Sequence, residues 1–129
     1  MSNPAKVLII DDEENLCSFL KKNLELIGKF KVFTANNGQA GIALAKSEKP
    51  DIIILDIMMP QMAGPEVADI LKARPETKNI PIVFLTAIIT KEEIGINEIR
   101  QIGGCNYIAK PVETDKLIEC INEILNDNL

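Results

Sequence analysis

Ile52-Ile53-Ile54-Leu55 is a run of four aliphatic residues, three of them β-branched, with no polar residue alternating between them. A strand of that kind needs apolar neighbours on both faces, which restricts it to a parallel sheet covered on each side by helices. The run stops on Asp56, so a carboxylate is expected at the strand's carboxyl end, where open α/β sheets place their ligand sites. Taken alone, an acid there can equally well start a loop. Its weight comes from the company it keeps in the rest of the chain.

Lys6-Val7-Leu8-Ile9-Ile10 is a second apolar run, and it also stops on acids, Asp11 and Asp12, with Glu13 and Glu14 behind them. Leu16, Phe19, Leu20, Leu24 and Ile27 then recur at helical spacing, and Gly28 is expected to close that helix in the left-handed conformation. Asp12 has an ordinary reading as the helix N-cap, with acids in the first turn favouring the dipole. Several carboxylates on one loop repel each other, however, and a cap needs one.

Phe30 to Ala35 alternates as an edge strand does, and Asn36-Asn37-Gly38 turns the chain into a helix of small residues ending before Pro50. After Asp56 a loop from Met59 leads to Pro65, suited to the first turn of a helix that buries Val67, Ile70 and Leu71. Pro81 to Ala87 is a further apolar strand whose terminal polar residue is Thr86, itself an ordinary strand residue. Thr90-Lys91-Glu92-Glu93 has capping-box form and predicts a helix through Ile94, Ile99 and Ile102 to Gly103-Gly104. Tyr107-Ile108-Ala109 predicts a short strand ending on Lys110-Pro111, and a last helix carries Leu117, Ile118, Ile121, Ile124 and Leu125 on one face.

Strand then helix, five times over in 129 residues, predicts one α/β domain spanning the chain, a doubly wound parallel sheet with right-handed crossovers and helices on both faces. No linker or output domain is expected. Hydrophobic residues at 47% and charged ones at 26% fit a globular chain, and no apolar run is long enough to span a bilayer. The start lacks a signal peptide's apolar segment, so the expected location is cytoplasmic. A net charge of −5 argues against direct binding to nucleic acid. Cys17, Cys105 and Cys120 are widely spaced and read as reduced thiols, and the absence of His leaves oxygen ligands for any metal, which points to Mg²⁺, Mn²⁺ or Ca²⁺.

The expected topology delivers Asp11, Asp12, Asp56, Thr86 and Lys110 to the same sheet edge. Three carboxylates can hold one hard divalent cation with positions left for water and a phosphoryl oxygen. Lys110 and the Thr86 hydroxyl then supply a mobile cation and a hydrogen-bond donor for that group. Asp56 would be the nucleophile, forming an aspartyl phosphate.

With these residues the chain resembles the receiver domain of two-component response regulators, of the single-domain chemotaxis-regulator kind. The likeness is carried by Asp11-Asp12, Asp56 with Met58-Met59-Pro60 after it, Thr86-Ala87, Tyr107 and Lys110-Pro111. The resemblance implies a five-stranded flavodoxin-like sheet of order 2-1-3-4-5. It also implies Mg²⁺, with Mn²⁺ an alternative, bound directly by Asp12, Asp56 and the main-chain carbonyl of Met58, with Asp11 acting through water. Asp56 takes a phosphoryl group from a phosphohistidine on a sensor kinase or phosphotransfer protein. Thr86 and Tyr107 move inward, and partners read the surface of the fourth helix, fifth strand and fifth helix, as a monomer or a phosphorylation-dependent dimer. The Lys110-Pro111 bond is expected to be cis.

On this reading the chain is a regulatory phosphoacceptor, with at most self-phosphotransfer and slow autodephosphorylation. Apolar Met58 and Ile88 flank the path of water and predict a long-lived phosphorylated form. The aliphatic stretch from Ile88 to Ile99 is a candidate partner or dimer surface. The alternative is an aspartyl-phosphate phosphatase or phosphotransferase, but those sites commonly carry a second acid just after the nucleophile, where Ile57 and Met58 stand. A flavin site would need a phosphate cradle where the first strand instead ends in acids.

Overall fold

The computed structural model describes residues 3–87, 99–102 and 105–127 of the chain. In order they form β1 (Lys6–Ile10), α1 (Glu14–Leu26), β2 (Lys31–Ala35), α2 (Gly38–Glu48), β3 (Ile52–Asp56), α3 (Gly64–Lys72), β4 (Ile82–Thr86), β5 (Ile99–Ile102), β6 (Cys105–Ala109) and α4 (Thr114–Asp127). The sheet runs β2-β1-β3-β4-β6-β5. Its first five strands pair in parallel, β6 standing where the fifth strand of the expected 2-1-3-4-5 order belongs.

Every residue of β3 and β4 is buried, which is why neither shows polar alternation. Successive side chains point to opposite faces. Ile52, Ile54, Val83 and Leu85 therefore join Leu20 and Leu24 of α1 and Leu117 and Ile121 of α4 in one core. Ile53, Leu55, Ile82 and Phe84 join Ala45 of α2 and Val67 and Leu71 of α3 in the other. Each fully buried aliphatic side chain contributes about 1.5–3 kcal/mol, so the central strands are fixed from both sides and their ends can hold charged groups in place. Among the described residues no helix is long and apolar enough to cross a membrane.

Four local expectations are corrected. The helix predicted through Ile99 and Ile102 does not reach them: β5 is a strand, antiparallel to β6, with Ile99 opposite Ile108 and Ile102 opposite Cys105. Ile99 and Ile102 are β-branched and suit a strand as well as a helix, and pairing to the sheet edge decides it. The remainder of that helix and the aliphatic stretch from Ile88 lie outside the described residues.

Gly28 does not take the left-handed conformation; Lys29 does, at φ 63°. Gly28 is needed for space, because a Cβ there would stand 2.6 Å from the Phe30 ring and 2.9 Å from the Leu24 carbonyl oxygen. Phe19 and Ile27, expected in the core, are 54% and 56% exposed, and Cys17 takes the inward position instead. Asp12 does not cap α1: the N-cap residue is Glu13, and it makes no side-chain capping bond.

Candidate functional site

The β1 strand hands the chain to Asp11, which is fully buried. Its N–H donates to the Ala35 carbonyl at 3.0 Å, continuing the pairing of β1 with β2 by one residue. Its own carbonyl accepts from Asn36 Nδ2 at 3.0 Å and from Cys17 Sγ at 3.3 Å, so β2 and α1 both hold the turn. The Glu13 N–H donates to Asp11 Oδ1 at 2.9 Å, which keeps the carboxylate pointing along the acidic loop. Asp12, next in the chain, is exposed.

Asp56 closes β3 and is 3% exposed. The Met58 N–H donates to its Oδ1 at 3.3 Å, a long bond that closes a tight turn after the strand, while the Met58 side chain is 63% exposed. Behind it the Gly64 N–H donates to the Ile57 carbonyl at 2.9 Å and starts α3. A Cβ on Gly64 would run into the Asp56 carbonyl oxygen, so only glycine lets α3 begin this close to the strand end.

Thr86, fully buried, ends β4 opposite Ala109, and its carbonyl accepts from the Lys110 N–H at 2.9 Å. The Lys110-Pro111 bond is cis, as expected. Lys110 Nζ lies 2.8 Å from Glu13 Oε1, 3.0 Å from Asp11 Oδ2 and 3.5 Å from Asp56 Oδ1. One carboxylate oxygen from each of Asp11, Asp12 and Asp56 lies within 4.8 Å of the others. Tyr107 sits earlier on β6, and its ring packs against Phe84 on the α2–α3 side of the sheet, 5.4 Å between centroids.

The electrostatics follow from that crowding. Burial first, then the Asp11 carboxylate, push Asp56 up from 3.8 to about 6, with Lys110 and the Met58 N–H pulling the other way. Burial acts to lower Lys110, but its hydrogen bond to Glu13 and the charge of the Asp11 carboxylate outweigh it and hold the ammonium above its ordinary range. Burial and the Asp11 charge raise the Cys17 thiol to about 11, leaving it a neutral donor.

A hard divalent cation fits this cluster. The donors are all carboxylate oxygens, and among the described residues their mutual repulsion is offset by the Lys110 ammonium alone and buried Asp11 Oδ2 makes no hydrogen bond, its contact with Lys110 being an ion pair only. The sequence had brought Asp11, Asp12, Asp56, Thr86 and Lys110 to one edge, and the structure puts them there. It missed Glu13 as a partner of Lys110, and Asn36 and Cys17 as supports of the acidic loop. Asn36 carried a signal: a polar amide at the carboxyl end of β2, beside β1.

The response regulator receiver domain model matches residues 7–122. The polar-differentiation response regulator DivK of Brucella anthropi is 34% identical over 125 residues, covering 96% of this chain and 98% of that protein. PilH of Pseudomonas aeruginosa is 34% identical over 123 residues, covering 94% of this chain and 98% of that one. Among solved structures, the chemotaxis protein CheY4 of Vibrio cholerae superposes with a TM-score of 0.79 at 27% identity, covering 94% of this chain and 98% of its own. The fold, the acidic edge and these likenesses agree: the chain belongs to the response regulator receiver domain family of two-component signalling.

Proposed function

We propose that the protein is a phosphorylation-dependent switch in which Asp56 accepts a phosphoryl group from a phosphohistidine on a sensor kinase or phosphotransfer protein. The observation that carries this reading is the placement of one nearly buried carboxylate, Asp56, between two other acids and the Lys110 ammonium. In the transfer an Asp56 oxygen forms the new bond to phosphorus as the phosphorus–nitrogen bond of the donor breaks, and the freed imidazole keeps the electron pair.

Asp11, Asp12, Asp56 and the Met58 carbonyl would hold Mg²⁺, or Mn²⁺ in its place. When bound, the ion supplies charge neutralisation for the phosphoryl oxygens. Lys110 supplies a second cation on a flexible stem, and the Thr86 hydroxyl a donor at the end of β4. Thr86 and Tyr107 act as the switch, by which phosphorylation favours one of two arrangements of the partner-reading surface that includes β6 and α4. The chain acts in the cytoplasm as a regulator whose own chemistry is limited to self-phosphotransfer and slow autodephosphorylation.

Incubation with acetyl phosphate and Mg²⁺, followed by intact mass and peptide mapping, tests the reading. One phosphoryl group on Asp56 is expected, lost in Asp56→Asn and with chelator. Labelling at the same stoichiometry in Asp56→Asn overturns it.

A further inference from the structure

Among the described residues the carboxylate nearest to Lys110 is not one of the proposed metal ligands. Glu13 Oε1 stands 2.8 Å from Nζ, against 3.0 Å for Asp11 Oδ2 and 3.5 Å for Asp56 Oδ1. Glu13 occupies the N-cap position of α1, where a side chain ordinarily turns back to the helix N–H groups, yet it makes no such bond. Its side chain turns instead to a lysine 97 residues away in the chain. Its main-chain N–H meanwhile donates to Asp11 Oδ1. Glu13 therefore links the acidic loop to the mobile cation from two sides.

We propose that Glu13 is a positioning residue that tethers Lys110 on the acidic-loop side of the site in the unphosphorylated protein, so that Lys110 must leave Glu13 to reach a phosphoryl group on Asp56. The inference deepens the phosphoacceptor reading and rests on it. Lysine suits such an exchange: it is a compact charge on a four-carbon stem, with no fixed fork that commits it to one partner. A phosphoryl group offers charge-assisted bonds from several oxygens, which a single carboxylate does not match. Glu13 is 60% exposed, so the tether is a screened ion pair and its effect is modest. A modest effect is what a parking contact requires, since a strong one would lock the lysine away.

Glu14 provides the control. It carries the same charge, is exposed in the first turn of α1, and stands next to Glu13 in the chain. Replacing either acid by its amide changes the field felt by an anionic phosphodonor almost equally, whereas replacing Glu13 alone weakens the hold on Lys110.

The test uses the full chain with acetyl phosphate and Mg²⁺, reading the initial rate of Asp56 labelling by intact mass. Glu13→Gln is expected to label roughly threefold to fivefold faster than wild type, the scale of an exposed ion pair, and Glu14→Gln within about twofold of it. A double-mutant cycle on thermal stability, pairing Glu13→Gln with Lys110→Met, reads the contact without activity. It is expected to be non-additive, and the same cycle with Glu14 additive. Equal rates for the two amide variants, a slower Glu13→Gln, or an additive Glu13 cycle overturns the tether alone. A wild type that takes no phosphoryl group on Asp56 overturns the phosphoacceptor reading and this inference with it.

Discussion

Folding moves Asp56 from 3.8 to about 6, chiefly by burial and then by the neighbouring Asp11 charge, so the folded state holds more protons than the unfolded chain between those values. Stability of the metal-free protein therefore falls as pH rises through that window, and the loss is complete above about 6. At neutral pH the ionised group costs the fold up to about 3 kcal/mol. Asp56→Asn keeps the shape and removes the charge. With chelator present it is expected to melt higher than wild type near neutral pH, with the gap closing as pH falls towards 4. A gap indifferent to pH across thermal melts would show that Asp56 charge is not the cause. The same carboxylates should respond to cation: Mg²⁺ at 100 times its Kd adds about 2.7 kcal/mol by mass action. That rise in melting temperature should fade as pH drops through about 6, where a proton competes for Asp56. A midpoint unmoved by Mg²⁺ at neutral pH counts against the metal cluster.

Elements decide how closely these groups can approach. The start of α3 lies against the end of β3 because Gly64 has no Cβ to meet the Asp56 carbonyl oxygen and the Ile57 backbone. Both obstacles are backbone and cannot swing aside. Gly64→Ala should therefore cost about 1–3 kcal/mol, as overpacking does, and slow Asp56 labelling, whereas a gain in stability in denaturant titration would show that the helix can back away freely. The sequence carried the parallel sheet and the acidic edge because both rest on runs that read alike in any context: Ile52 to Leu55 is too apolar to expose a face, Asp11, Asp56 and Lys110 each directly follow an apolar run, and Asp12 comes next after Asp11. It did not carry contacts decided between elements. Phe19 is the larger apolar residue, but it lies two positions from Cys17 and so points well away from it; Cys17 shares the face of Leu20 and Leu24 and is buried with them. Gly28 reads as a helix stop from its neighbours in sequence, but its reason is the Phe30 ring folding back beneath α1. Ile99 and Ile102 have helical spacing and strand propensity at once, and only the open edge of β6 settles them.

At the scale of the molecule, two cores share one sheet, and that sharing governs how the protein unfolds. Ile54 points into the core under α1 and α4, and Ile53 into the core under α2 and α3, yet they are adjacent in β3. Neither core can lose its order without loosening the strand that carries the other, so unfolding of the whole domain should be a single cooperative transition. The chain offers a local reporter, since it contains one Tyr and no Trp, and Tyr107 packs on Phe84 on the face away from Ile54. Ile54→Ala empties a fully buried site and should cost about 2–5 kcal/mol. If the cores are coupled through β3, that substitution shifts the Tyr107 emission midpoint by the same amount as the far-ultraviolet circular dichroism midpoint, although it lies on the other face. The two denaturation curves of the variant should superimpose after normalisation. A Tyr107 transition that stays at the wild-type midpoint while the dichroism curve moves would mean that the two faces melt separately. In that event the sheet would not transmit a change at Asp56, on its central strand, to a surface on either side, and a switch built on this fold would need another route.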